Sequence, residues 1–114
     1  MPGWRARLSA AAERDYLGVL DWTRERFGLR QARLYRGVLD AAIRELRGGP
    51  DAPGAKRREE IAAGVLSLHV ARHGRRGRHI LFYRAVDERL IEIVRLLHDG
   101  MEITRHLPRR EDEA

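Results

Sequence analysis

The chain has 114 residues with 23 basic and 17 acidic side chains, which fits one domain with a single core. Its hydrophobic content of 43% favours a folded protein, and the absence of cysteine excludes disulfides and thiolate chemistry. No apolar run approaches the roughly 20 residues of a membrane span, and no secretion signal is recognisable. We therefore expect a cytoplasmic protein without a membrane partner, in which residues 1–114 form one domain.

A short strand and a first helix are predicted at the start of the chain. Residues 4–8 alternate between apolar and charged side chains, which is the period of a strand. Ser9 then offers an N-cap to a helix that extends to Phe27, a residue on the apolar face of that helix. Gly28 follows as a natural C-cap.

A second amphipathic helix fits residues 30–47 and ends at the Gly48-Gly49-Pro50 sequence. The turn between the two helices is short, so we expect an antiparallel helical hairpin. Trp22 and Leu34 each lie about 110° from the centre of the apolar stripe of their helix. They either rim the core or mark a contact surface.

Three strands are predicted in the second half of the chain, at residues 65–71, 79–86 and 90–98. A polar connection, residues 51–64, precedes them, and short Gly-rich or polar loops separate them as in a hairpin meander. The expected fold class is therefore α+β. It has an N-terminal strand, an α-helical hairpin and a three-stranded antiparallel meander, in the order β-α-α-β-β-β, with a short C-terminal tail.

The last predicted strand carries apolar side chains on both of its faces. Period-two alternation divides them between opposite faces, with Leu90, Val94 and Leu96 on one and Ile91, Ile93 and Leu97 on the other. One helical hairpin covers only one face of a sheet, and exposed apolar surface costs about 25 cal/mol per Å². We therefore expect a partner protein, or the C-terminal tail, to cover the second face.

The positive charge of the chain is unevenly distributed. Residues 51–84 hold eight basic and three acidic side chains, whereas residues 85–114 hold five basic and eight acidic ones. The first of these segments suits an anionic partner such as nucleic acid or an acidic protein. High arginine content is also typical of a GC-rich genome, and a charged hairpin tip discourages aggregation. The loop between the first two meander strands contributes Arg72, Arg75, Arg76 and Arg78.

Three side chains are candidates for chemistry, namely Arg84, Arg95 and His106. Charged groups within apolar strands are costly unless they are paired or exposed at a site, and Glu92 is an alternative structural partner for either arginine. Imidazole suits proton transfer near neutral pH, and His98 and His106 supply it. The chain has no zinc-ligand spacing, P-loop, dinucleotide-binding glycine fingerprint or nucleophile elbow, so we predict neither a metal nor a cofactor.

Three blocks of sequence together resemble toxins of the RelE/ParE superfamily. They are FGLRQARLYRGVLDAAIREL, GVLSLHVARHGRRGRHILFYR and IEIVRLLHDGMEITRHLP, which occur in the order of the family. The resemblance extends from Leu8 to Pro108. It implies the β-α-α-β-β-β fold and one half of a bacterial type II toxin–antitoxin pair. The expected assembly is a hetero-oligomer with a cognate ParD-like antitoxin, whose flexible segment folds as it binds.

The superfamily divides by target. RelE-like members cut mRNA on the ribosome, whereas ParE-like members poison DNA gyrase. The phrases LLHDGMEITRHLP and HGRRGRH resemble the ParE-like branch, which implies a gyrase inhibitor that causes growth arrest. The first alternative is a ribosome-dependent mRNA endonuclease, in which Arg84 and Arg95 hold a phosphate and His106 moves a proton. The second is a non-toxic co-repressor that acts with its antitoxin.

The same resemblance assigns residues to surfaces. The predicted target-binding residues are Arg72, Arg75, Arg76, Arg78, His98, Arg105 and His106. The predicted antitoxin-binding residues are Trp22, Leu34, Leu90, Val94 and Leu96. We expect operator DNA to be bound only through the toxin–antitoxin complex.

Overall fold

Local sequence signals set the bounds of the first two elements. In a computed structural model, which describes residues 3–101, strand β1 spans Arg5–Leu8 and helix α1 spans Ala10–Phe27. Ser9 is the N-cap, because its hydroxyl accepts a hydrogen bond at 3.0 Å from a backbone N–H in the first turn. Gly28 ends the helix with a φ of 93°, a value that favours glycine. The predicted bounds of this helix are confirmed.

The second helix completes the predicted hairpin. Helix α2 spans Leu29–Glu45, and a 3₁₀ turn, Leu46–Gly48, follows it. The Tyr16 hydroxyl donates a hydrogen bond to Asp40 Oδ1 at 2.7 Å, which joins the two helices away from their turn. Within residues 3–101, no helix is long and apolar enough to cross a membrane.

Five strands form one mixed sheet in the order β1-β5-β4-β3-β2. Strand β2 is Lys56–Arg57, β3 is Leu66–His69, β4 is His79–Asp87 and β5 is Leu90–His98. Strands β3, β4 and β5 are the predicted antiparallel meander, and the α+β fold class is confirmed. Two details differ from the expectation: β1 runs parallel to β5, and the two-residue β2, which was not predicted, pairs with β3.

The helical hairpin covers one face of the sheet and forms the main core there. Leu39 and Leu46 are fully buried against side chains of the central strands, which include Leu68, Leu81, Tyr83, Ile91 and Ile93. The phenol of Tyr83 is buried with them and donates a hydrogen bond at 2.7 Å to the carbonyl of Pro50. This bond fixes the chain just after the helical hairpin.

The centre of the opposite face is covered by the chain itself. Ile61 and Val65, in the connection between β2 and β3, pack against Phe82 and Leu97, which are 0% and 3% exposed. The expectation that a partner or the C-terminal tail covers this face is therefore wrong for its centre. Ile61 and the partly buried Ala62 belong to the connection predicted to be polar, and together with Val65 they cover this cluster.

A β-bulge in β5 corrects the predicted faces of that strand. Ile93 and Arg95 pair with consecutive residues of β4, so Val94 is an extra residue without a partner in the register. Beyond the bulge the alternation is inverted, which turns Leu96 into the core beneath the helices and Leu97 into the opposite cluster. Leu96, predicted to bind the antitoxin, is 2% exposed and in this structure presents almost no surface to a partner.

Candidate functional site

A groove of about 850 Å³, here called the hairpin groove, lies between the two helices and the loop that joins β3 to β4. Its helical wall contains Trp22, Phe27 and Leu34, whose exposed fractions are 53%, 61% and 59%. Its other wall contains Arg75 and Arg76. Exposed aromatic and aliphatic side chains at this density are typical of a protein-binding surface.

The predicted basic loop contains two kinds of arginine. Arg72 donates hydrogen bonds to both carboxylate oxygens of Glu45, at 3.0 and 2.8 Å, and its side chain is only 14% exposed. Arg78 donates to Asp99. Arg75 and Arg76 are exposed, and within residues 3–101 their guanidinium groups have no hydrogen bond or ion pair. Arg72 and Arg78 therefore hold the loop in place, while Arg75 and Arg76 are available to a partner.

The floor of the groove is a hydrogen-bonded pair, Tyr35 and His79. The phenol oxygen accepts a hydrogen bond from the Arg78 backbone N–H at 3.1 Å and lies 2.6 Å from His79 Nδ1. The phenol and Nδ1 share one hydrogen bond, whose direction depends on the tautomer of the imidazole. Burial, followed by the charge of neighbouring His98, lowers the pKa of His79 to about 4. The floor is therefore neutral at physiological pH.

Asp99 fixes the end of the groove. It lies just after β5 and accepts hydrogen bonds from Arg78 and from His69 Nε2 at 3.0 Å, while His98 Nδ1 is 3.7 Å away. The hydrogen bond from Arg78, and then that from His69, lowers the pKa of Asp99 to about 2. In the part of the chain that the structure describes, no cluster of three His, Asp or Glu side chains is suited to hold a metal ion.

The two arginines proposed for phosphate binding differ in their surroundings. Arg95 donates two hydrogen bonds, at 2.7 and 2.9 Å, to Asp15 of α1. Arg84 alternates with the buried Tyr83, so it lies on the face of the sheet away from the helices, where it is exposed. Asp15 therefore already engages the guanidinium group of Arg95, whereas Arg84 faces solvent. Arg105 and His106 lie outside the described residues.

The predicted antitoxin residues separate into two groups. Trp22 and Leu34 line the hairpin groove, together with the predicted target residues Arg75, Arg76, Arg78 and His98. Leu90 and Val94 are half-buried on β5, and Val94 packs against the Phe82 cluster. Among the described residues, the most exposed of the large apolar side chains are therefore on the helices, while Val86 of β4 is 38% exposed on the sheet.

Two groove residues escaped the sequence interpretation. Phe27 was placed on the core face of α1, yet it is exposed and packs edge-to-face with Trp22 at 5.9 Å between ring centroids. His79 was assigned to the end of the basic loop and the start of a strand, but not to a site. The sequence signal that could have identified His79 is its position, because it is the first residue of β4 and directly follows the basic loop.

Sequence comparisons assign this chain to a family. Residues 6–103 match the family described as "ParE toxin of type II toxin-antitoxin system, parDE". The protein named Toxin ParE1 from Mycobacterium tuberculosis is 35% identical over 103 residues, which cover 90% of this chain and 97% of that protein. Toxin ParE1 from Caulobacter vibrioides is 33% identical over 102 residues, covering 89% and 95%. The chain therefore belongs to the ParE toxin family of type II toxin–antitoxin systems.

Solved structures show the same architecture. The chromosomal ParDE toxin–antitoxin system from P. aeruginosa contains a chain with a TM-score of 0.68 and 17% identity, covering 83% of this chain and 95% of that one. The RelBE2 toxin–antitoxin complex from Mycobacterium tuberculosis contains one with a TM-score of 0.54 and 28% identity, covering 86% and 99%. The first match, at its low identity, shows the fold alone.

Proposed function

We propose that this ParE-family chain inhibits DNA gyrase, and that a cognate ParD-like antitoxin neutralises it by occupying the hairpin groove. The observation that carries the proposal is the groove itself, where Trp22 and Leu34 lie beside the available cations Arg75 and Arg76. The sequence resembles the gyrase-directed branch of the superfamily. Asp15 already holds the guanidinium group of Arg95, which gives the RelE-like nuclease alternative no support among the described residues.

The groove defines the chemistry of the antitoxin segment. An amphipathic segment has one apolar side to cover Trp22, Phe27 and Leu34, and acidic side chains on its rim to pair with Arg75 and Arg76. Full burial of a large apolar side chain contributes about 1.5–3 kcal/mol. Because the antitoxin then covers the residues predicted to contact gyrase, it neutralises the toxin by direct competition.

The antitoxin half of the proposal is tested by calorimetric titration of the toxin with its antitoxin. Replacing Trp22 and Leu34 together by serine should weaken binding at least about 100-fold, the equivalent of two buried anchors. The control is Leu17→Ser, which removes an apolar side chain that is 60% exposed on α1 but lies outside the groove. Equal affinities for the double variant and the control would contradict groove occupation.

The gyrase half is tested by supercoiling of relaxed plasmid in the presence of purified toxin. We expect the wild-type chain to inhibit, and the Arg75→Ala, Arg76→Ala double variant to need at least about ten times more protein for the same inhibition. The control, Arg5→Ala with Arg84→Ala, removes the same charge from exposed positions on the sheet. Equal loss in both double variants would show that net charge, and not the groove, is responsible.

A further inference from the structure

The outward face of α2 carries a row of cations that the sequence interpretation did not single out. The α2 arginine row consists of Arg30, Arg33, Arg44 and Arg47, all of them exposed. At 3.6 residues per turn the first three fall within about 60° of one another, and Arg47 continues the row in the 3₁₀ turn. No member of the row lines the hairpin groove.

The row is not neutralised by its own helix. The two carboxylates of α2 are already engaged, since Asp40 accepts from Tyr16 and lies 3.8 Å from Arg36, while Glu45 is held by Arg72. Across the described part of the chain, the guanidinium groups of the row form no hydrogen bond and no ion pair. Among the described residues, the four cations of the row therefore face solvent without an ion-pair partner, as in surfaces that bind phosphates.

The dimensions of the row fit duplex DNA. Arg33 and Arg44 are 11 residues apart, a rise of about 16 Å along the helix, and the major groove of B-form DNA is about 12 Å wide. The long side chains of Arg33 and Arg44 can therefore reach phosphates on both walls of the major groove. Gly37 lies midway, and a Cβ built there would have no heavy atom within 4 Å, so the centre of the row is open. A-form RNA has a deep, narrow major groove that does not admit a helix.

We propose that the α2 arginine row binds the phosphate backbone of duplex DNA without reading its sequence. The inference is independent of the gyrase proposal, because it depends on a different surface and a different contact. The expectation that operator DNA is bound only through the toxin–antitoxin complex is a separate prediction, because the contact proposed here does not read sequence. A gyrase-directed toxin with such a row holds the DNA on which its target acts.

The test is fluorescence anisotropy with a labelled 30-base-pair duplex of arbitrary sequence, titrated with purified full-length toxin at several salt concentrations. Each phosphate contact contributes about −0.9 to the slope of log affinity against log salt, so four contacts contribute about −3.6. Replacing all four arginines of the row by alanine should remove this part of the slope. Between 50 and 200 mM salt, the wild-type chain should then lose about 150-fold more affinity than the variant.

A charge-matched control separates the row from net charge. Alanine at Arg5, Arg7, Lys56 and Arg84 removes four cations from the strands and leaves the α2 arginine row intact. We expect this control to retain most of the wild-type slope. The proposal is overturned if the control and the row variant lose the slope equally, or if the wild-type chain binds an RNA duplex as tightly as DNA. Circular dichroism of both variants confirms that they are folded.

Discussion

Arg72 and Arg75 lie three residues apart in one loop, and their replacement by alanine should have very different effects on stability. Arg72 donates two hydrogen bonds to Glu45 and one to the carbonyl of Pro53, and both charged side chains are mostly buried, at 14% and 24% exposure. Hydrogen bonds to charged groups contribute about 1.5–3 kcal/mol. Since Arg72→Ala also leaves a partly desolvated carboxylate, we expect a loss of about 2–3 kcal/mol of unfolding free energy.

The expected magnitude is large enough to measure by thermal unfolding. For a domain of this size, 1 kcal/mol corresponds to about 4–8 °C, so Arg72→Ala should lower the Tm by on the order of 10–20 °C. Arg75→Ala removes an exposed side chain without a partner in residues 3–101 and should change stability by less than about 0.5 kcal/mol. Equal Tm values for the two variants would refute the structural role of Arg72.

The ion pair between Arg72 and Glu45 also predicts a pH dependence of stability, whose sign follows from the pKa of Glu45. The Arg72 guanidinium holds the pKa of Glu45 below its ordinary value of 4.5, so the folded state favours the ionised carboxylate. The stabilisation by this pair is therefore fully present when the pH is above the ordinary pKa of 4.5. It is lost as the pH falls through the lowered pKa of Glu45 in the folded state. The Tm difference between wild type and Arg72→Ala should narrow over this window.

Four further substitutions test the groove, helix α1 and the core. His79 has a pKa of about 4 when folded against an ordinary 6.5, so stability should fall as pH drops between these values, and His79→Gln should flatten that slope in denaturant titrations. Gly77→Ala should destabilise the fold, because its Cβ would lie 2.6 Å from a Val70 methyl group. Gly18→Ala meets nothing within 4 Å and should stabilise α1 by about 0.5–1 kcal/mol. Tyr83→Phe should cost about 1–2 kcal/mol in chemical unfolding, since it leaves a carbonyl without its partner.

The elements predictable from the sequence are those with local causes. Ser9 and Gly28 define α1 through a side-chain cap and a positive φ, both of which depend on neighbouring residues only. The three long strands follow from apolar runs separated by short polar loops. The parallel pairing of β1 with β5 depends on residues more than 80 positions apart, so no local signal indicates it.

The bulge in β5 could not be read from the sequence because both possible registers look equally apolar. Leu96 and Leu97 are identical side chains, so shifting the alternation by one residue exchanges them without changing the pattern. The cover of the second face was missed for a related reason. Ile61 lies within a polar segment and Val65 was assigned to a strand, and only their packing on Phe82 identifies them as the cover of this face.

The candidate site was predicted in parts but not as a unit. Trp22 was recognised as off its helical stripe and Arg76 as part of a basic loop, but 54 residues separate them, and only the fold makes them two walls of one groove. The different roles of Arg72 and Arg75 are equally invisible in the sequence. They depend on Glu45, which reaches one of the two from the end of α2.

The central claim, that this chain is a gyrase-directed toxin, is tested most directly by running two assays on one preparation of the wild-type protein. The account predicts that gyrase loses supercoiling activity, that an equimolar amount of antitoxin restores it, and that translation in a cell-free extract continues undisturbed. Full supercoiling in the presence of the protein, together with mRNA cleaved at the ribosomal A site, would contradict the account.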